Sequence, residues 1–254
     1  MVTQNSCNFG TGATGQLLTS NGPGVAPTFQ TSTSFATVNI QTFTSNGTYT
    51  PTSGMKYCVI QCVGGGGGGG GAPDTVINTL VSVGGGGQSG GYAVGVFTAA
   101  DIGASKAVTV GTGGTGGNGV SGTNGGNTSV GTLISIQGGS PGSASGTGAT
   151  ASANGGNGAM TSPGSSYFST GEFGGTGSIA NLGNGTAFTF SGAGGSSILG
   201  AGAPQISSPS ALTANGTAGG NYGGGGAGAA NFTTGSAKTG GNGAPGIVII
   251  TEYI

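Results

Sequence analysis

Tyr57-Cys58-Val59-Ile60-Gln61-Cys62-Val63 runs without a break into Gly64-Gly65-Gly66-Gly67-Gly68-Gly69-Gly70-Gly71. The first seven residues read as a β-strand. Tyr57, Val59 and Val63 fall on one face and Cys58, Ile60 and Cys62 on the other, and a strand apolar on both faces belongs in the buried centre of a sheet. The eight glycines that follow have no side chains to pack, so their order must come from backbone pairing with other backbone at close range. Two arrangements are open. In one, the glycines form legs in the polyproline-II conformation, which has three residues per turn and turns every N–H and C=O outward to a neighbour. In the other, they are long glycine loops of a β-sandwich.

Working outward, 66 of the 254 residues are glycine. At roughly 0.5–1 kcal/mol of extra chain entropy each, they oppose folding by about 30 to 65 kcal/mol. Glycine and proline together reach about 30%, a level that signals low-complexity disorder when no Gly-X-Y period is present. The charge content argues the other way. Disorder goes with high charge and low hydrophobicity, whereas here 3% of residues are charged and 33% hydrophobic.

Beyond 57–63, strand patterns cover 35–43, with Phe35, Thr37, Asn39, Gln41 and Phe43 alternating against Ala36, Val38, Ile40 and Thr42, and then 76–83, 92–97, 107–110, 130–137, 186–190 and 246–253. Asn46-Gly47 is a hairpin signal before Tyr49. No apolar stripe at helical spacing occurs, and one short turn near Ala99-Ala100-Asp101 is the most helix expected. Glycine blocks of no fixed period separate the strands, and the pairs Asn118-Gly119, Asn124-Gly125, Asn154-Gly155 and Asn157-Gly158 mark reversals. The expected fold class is all-β: a glycine-rich β-sandwich with essentially no helix, its glycine runs either polyglycine-II legs or loops. Residues 34–254 form this domain. Residues 1–33, polar, turn-rich and interrupted by Pro23 and Pro27, form an N-terminal assembly arm that orders on another surface, with Leu17, Leu18 and Phe29 as its apolar contacts.

Composition narrows the function. The cations are Lys56, Lys106 and Lys238 and the anions Asp74, Asp101, Glu172 and Glu252, with no arginine or histidine. Such a chain cannot neutralise a phosphate backbone, so no nucleic-acid partner is expected, and little charge repulsion opposes self-association. Without histidine, Ser-His-Asp and Cys-His nucleophile systems are impossible. The four carboxylates are scattered, and no enzyme activity, cofactor or metal is expected. Cys58 and Cys62 lie about 13 Å apart along a strand and cannot bridge each other. With Cys7 they read as small buried apolar side chains. G-x-G-x-x-G spacings such as Gly111, Gly113 and Gly116 arise by chance at this glycine content and open no helix. The start, Met1 to Phe9, shows no secretory signal, and no apolar stretch is long enough for membrane insertion.

Three stretches carry a resemblance. Phe43-Thr44-Ser45-Asn46-Gly47-Thr48-Tyr49-Thr50-Pro51 with 59–71, Val108-Thr109-Val110-Gly111-Thr112-Gly113-Gly114, and Gly243-Ala244-Pro245-Gly246-Ile247-Val248-Ile249-Ile250 resemble, in that order, the glycine-rich domain of bacteriophage tail fibre and virion structural proteins. Gly15-Gln16-Leu17-Leu18-Thr19-Ser20-Asn21-Gly22 with Ala26-Pro27-Thr28-Phe29-Gln30 is similar to a short segment common in phage tail and fibre proteins. The resemblance implies a virion or extracellular component that assembles with itself and with other virion proteins, and whose loops contact a host-surface receptor. The candidate contacts are aromatics in polar glycine surroundings, Tyr167, Phe168, Phe173, Tyr222 and Phe232, because rigid rings give contact area at low entropy cost. The alternative is a self-assembling extracellular filament whose N-terminal arm pairs into a neighbouring subunit.

Overall fold

The computed structural model of the protein describes residues 11–31, 37–76, 79–183, 186–210, 212–232 and 235–254. The chain divides into two compact units, Met1–Thr37 and Val38–Ile254. In the first, β1 (Gln16–Thr19) and β2 (Thr28–Thr31) form an antiparallel hairpin with Leu18 opposite Phe29 and Leu17 opposite Gln30. Between them the Asn21 side-chain amide donates to the Ala26 carbonyl at 2.8 Å, and Gly22 and Gly24 take positive φ. Over its described residues the arm is therefore a hairpin.

The second unit begins as a β-sandwich. One sheet has the order β12 (Tyr167–Ser169), β7 (Tyr92–Thr98), β5 (Tyr57–Val63), β17 (Ile247–Tyr253), β3 (Val38–Phe43), with every neighbour antiparallel. The other has the order β10 (Ile134–Ile136), β9 (Thr128–Val130), β8 (Lys106–Thr109), β4 (Gly47–Tyr49). Between them Cys58, Ile60, Cys62, Ala93, Val248 and Ile250 meet Tyr49, Val108, Val130, Ile134 and Ile136. The strand that opened the sequence reading lies at the middle of its sheet. The one helix among the described residues, α1 (Ala99–Ile102), starts with a reciprocal cap between Thr98 and Asp101 and buries Ile102 in this core.

From β5 the chain passes directly into the glycine run, which is a leg of a backbone lattice. The N–H groups of Gly64, Gly67 and Gly70 donate to the carbonyls of Gly91, Gln88 and Gly85; those of Gly65, Gly68 and Gly71 to Gly126, Thr123 and Val120; those of Gly66, Gly69 and Ala72 to Ala244, Gly241 and Lys238. Each set steps forward by three on the run and back by three on its partner, the signature of a three-residue turn between antiparallel legs. The carbonyls repeat the pattern with parallel legs. Gly66 and Gly69 accept from Gly114 and Gly117, Gly65 and Gly68 from Gly139 and Gly142, and Gly67 and Gly70 from Gly226 and Ala229. Six legs thus surround the run, which is completely buried.

Only glycine fits there. A Cβ on Gly65 would sit 2.1 Å from the Thr112 carbonyl oxygen, and one on Gly69 2.0 Å from that of Ala227. A paired N–H contributes about 0.5–1.5 kcal/mol net, the same size as the roughly 0.5–1 kcal/mol that glycine costs. The lattice, rather than loops, is how this chain offsets its composition. The second enclosed leg, 84–91, carries Gln88, whose amide donates to the carbonyls of Gly158 and Gly171 and accepts from the Ser140 N–H.

At the far end of the legs a second apolar cluster closes the lattice. Val81, Val83, Ala153, Ile179, Ala187, Ala230 and Phe232 gather there, from β6 (Val81–Val83) paired with β16 (Ala230–Phe232) and from a sheet of order β11 (Thr150–Ala153), β13 (Gly177–Gly183), β14 (Thr186–Phe190), β15 (Ser207–Ser208).

Several expectations are corrected. Asn46-Gly47 makes no hairpin, because β3 pairs with β17 and β4 crosses to the other sheet to pair with β8, where Asn46 Oδ1 accepts from the Val110 N–H at 2.9 Å. The strand expected over 130–137 is two strands reversing at Gly131, which takes φ 51°. Of the strand expected over 76–83 only 81–83 forms, Val76 being exposed and 77–78 lying outside the described residues. The strand expected over 35–43 begins at Val38, and residues 32–36 lie outside the described residues. Among the expected Asn-Gly reversals Gly119 takes positive φ, whereas Gly125 and Gly155 are leg residues pressed against the carbonyls of Gly65 and Gly174.

Candidate functional site

The four carboxylates are engaged separately. Glu252, on β17, is fully buried in the sandwich. Its Oε1 accepts from the Tyr49 hydroxyl at 2.8 Å, the Thr52 N–H at 2.9 Å and the Gln41 amide at 3.3 Å, and its Oε2 from the Thr52 hydroxyl at 2.6 Å and the Asn39 amide at 2.8 Å. Burial pushes its carboxyl up, but the hydrogen bonds from Thr52, Asn39 and Tyr49 outweigh this and hold its pKa below the usual carboxylate value. Burial, and then the bond to Glu252, push the Tyr49 hydroxyl well above the ordinary range. A carboxylate saturated in this way is a structural clasp between the sheets. Asp101 caps α1, and Asp74 accepts from the Ala237 N–H.

Glu172 stands in a different setting. It belongs to a recess of about 200 Å³ lined by Gly90, Tyr92, Ser169, Thr170, Gly171, Glu172, Ser196, Ser197 and Ile198. Three pieces of chain make it: the end of the leg 84–91 as it enters β7, the exit of β12 into the next leg, and the reversal at 197–200, where the Ser197 N–H donates to the Gly200 carbonyl at 2.8 Å. The lattice holds these pieces together. The Ser89 N–H donates to the Glu172 carbonyl at 3.0 Å and the Gly195 N–H to the Gly87 carbonyl at 2.9 Å. Tyr92 is oriented by its hydroxyl, which donates to Gln61 Oε1 at 3.0 Å. Glu172 Oε2 accepts from the Ser196 N–H at 3.1 Å, and among the described residues Oε1 has no protein partner.

The expected receptor contacts divide around this recess. Tyr167 and Phe168 lie on the edge strand β12, opposite Val94 and Ala93, and are exposed, as is Phe173 beside Glu172. The Tyr222 carbonyl accepts from the Ser197 hydroxyl. Phe232 is a correction: at 3% exposure it belongs to the second core, since β16 pairs with β6 and turns the ring inward. The run Gly64–Gly71 is the enclosed leg described above. In the separate N-terminal unit, Leu17 and Leu18 are exposed, and the Phe29 ring lies where a side chain on Gly12 would stand.

The sequence reading missed Tyr92, Ser169, Glu172, Ser196 and Ser197 as a group. The available signal was an acidic residue next to Phe173 in a chain with only four acids. It also missed Phe188 and Phe190, which stand exposed side by side on β14 and line a cleft with Ser207, Ser208 and Pro209, while Ala187 and Thr189 alternate inward. Strict alternation over 186–190 carried that information.

Among the described residues no three His, Cys, Asp or Glu side chains come together as a metal site. The recess offers one carboxylate oxygen, several hydroxyls and the Tyr92 ring. A comparison with curated proteins gives no match. Residues 41–253 match the glycine-rich domain, and the chain belongs to that family.

Proposed function

We propose that the protein is a non-enzymatic structural and adhesive component of a phage tail fibre or virion, working as a multimer and contacting the host surface. The observation that supports this most directly is the backbone lattice. It fixes the chain between two small cores, so that exposed aromatics such as Tyr167, Phe168 and Phe173 stand on a rigid support. Rigid display of rings suits recognition, and a near-neutral surface suits assembly. The order of the motifs at 43–71, 108–114 and 243–250 favours the phage setting over other glycine-rich proteins. The test is adherence of the labelled full chain to a panel of bacterial strains, compared with Tyr167→Ala/Phe168→Ala. Strain-selective binding lost in the double variant is the expected result, and absence of binding to every strain overturns the adhesive role.

One observation favours the filament reading as the second. Leu17 and Leu18 are 61% and 47% exposed on a two-stranded hairpin, and such a hairpin is marginal in water unless something covers it. Electron microscopy separates the two: closed short oligomers for a fibre part, open polymers for a filament.

A further inference from the structure

We propose that the recess beside Glu172 is a binding site for a single neutral hexopyranose, with Tyr92 as the ring platform and the free Glu172 oxygen and neighbouring hydroxyls as polar partners. The proposal names the ligand class for the adhesive reading and rests on that reading for its source, a sugar displayed on a host surface. Three observations carry it.

The first is chemical match. A pyranose has an apolar C–H face and a rim of hydroxyls that both donate and accept. The recess sets the aromatic ring of Tyr92 and the side chain of Ile198 against Glu172, Ser169, Ser196 and Ser197. A carboxylate is acceptor-only and takes two hydroxyl donors, while serine hydroxyls work in both directions. Tyr167 stands diagonal to Tyr92 across the pair of β12 and β7, on the same face of the sheet.

The second is charge. None of the three lysines lines the recess, and Glu172 repels phosphate and carboxylate groups. One Glu172 oxygen accepts from the Ser196 N–H and the other stays open to a hydroxyl donor, while a cationic probe measures how far the carboxylate charge alone attracts a ligand.

The third is size and rigidity. About 200 Å³ lies below the 300–1,000 Å³ of sites that enclose drug-sized ligands and accommodates one ring. Its walls are tied by backbone hydrogen bonds from Ser89, Gly90, Gly195 and Ser197, so binding orders no loop.

The test titrates the full chain with the methyl glycosides of glucose, galactose, mannose and N-acetylglucosamine, and with ethanolamine as a cationic probe, followed by saturation-transfer and amide-shift NMR. At least one glycoside is expected to bind, with shifts centred on 169–172 and 196–198. Its affinity is expected to be little changed by salt and at least tenfold weaker in Glu172→Gln. Ile198→Trp, at a 62% exposed position, fills the recess without touching a core and should abolish binding with an unchanged unfolding midpoint. It keeps the test decisive if Glu172→Gln proves unstable. Absence of shifts with every glycoside, shifts elsewhere, or preferential binding of ethanolamine overturns the proposal. Adherence to cells in excess glycoside separates the two claims. Cells held equally well with and without sugar by both the parent chain and Ile198→Trp leave adhesion standing and reject the sugar site. Glycoside binding without adherence to any strain upholds the site and rejects the adhesive reading.

Discussion

The Tyr49 hydroxyl donates to Glu252 Oε1 at 2.8 Å, joining β4 of one sheet to β17 of the other inside the sandwich. This buried carboxylate is held by hydrogen bonds from Asn39, Gln41, Tyr49 and Thr52. Polar residues at 39 and 41 face inward for that reason.

The clasp makes stability depend on acid. Because the folded-state pKa of Glu252 lies below its ordinary value of 4.5, its contribution is fully present above that value and is lost as pH falls through the folded pKa. Glu252→Gln is expected to lose about 1.5–3 kcal/mol at pH 7, the worth of hydrogen bonds to a charged group. The gap between parent and variant should narrow below about pH 4.5. Urea titrations at pH 7 and pH 3 check this, and a gap that stays constant with pH contradicts it. Asp101, also held low by its bonds to Thr98, titrates equally in both proteins and cancels in the difference.

Cys58 and Cys62 should be inert. Both are free and fully buried in the sandwich core, and burial pushes the Cys62 thiol up to about 12 and raises that of Cys58. Since the thiolate is the reacting species, a Cys7→Ser variant in native buffer at pH 8 should take up no iodoacetamide, and two equivalents after denaturation. Rapid labelling of the native variant would contradict the burial.

Much of this fold is legible in the sequence, and what is not has identifiable causes. The run 57–63 declares itself as a central strand because it lacks polar alternation, and 246–253 declares itself as a strand through its β-branched residues. The glycine run leaves lattice and loops open because register among identical residues has no side-chain marker; it appears only when Gly64, Gly67 and Gly70 are seen to pair with Gly91, Gln88 and Gly85. Asn46-Gly47 carries a local hairpin signal, but the buried ring of Tyr49 commits β4 to the facing sheet. Phe173 and Phe232 sit in equally bland surroundings, and only strand pairing separates the exposed ring from the buried one. The recess at Glu172 joins residues from three pieces of chain distant in sequence, a proximity that no sequence motif encodes.

That separation is measurable. Phe232→Ala should cost about 3–5 kcal/mol, as for other buried aromatic truncations. Phe173→Ala, at a 64% exposed position, should change stability by about 0.5 kcal/mol or less. Thermal unfolding of the two variants tests the assignment of rings to core and surface. Equal effects would show that the pairing of β16 with β6 does not bury Phe232 in solution.

The lattice itself is tested by adding a single carbon. In Gly67→Ala the new Cβ would lie 2.2 Å from the Ser140 carbonyl oxygen and 2.7 Å from its carbon. The Ser140 carbonyl accepts from the Gln88 N–H, and Gly67 is held by its own bonds to the Gln88 carbonyl and from the Gly226 N–H, so neither side can yield without breaking one of them. Overpacking in cores costs about 1–3 kcal/mol and more when backbone must move, so this variant should fall at or beyond the upper end of that range or fail to fold. In Gly146→Ala the Cβ meets nothing within 4 Å, and φ lies outside the left-handed region. Reduced entropy of the unfolded chain should then leave it unchanged or more stable by about 0.4–1 kcal/mol. The same substitution thus has opposite signs at two glycines, with unfolding midpoints as the readout. Long glycine loops with room around them would tolerate alanine at both positions, and that outcome would rule out the lattice.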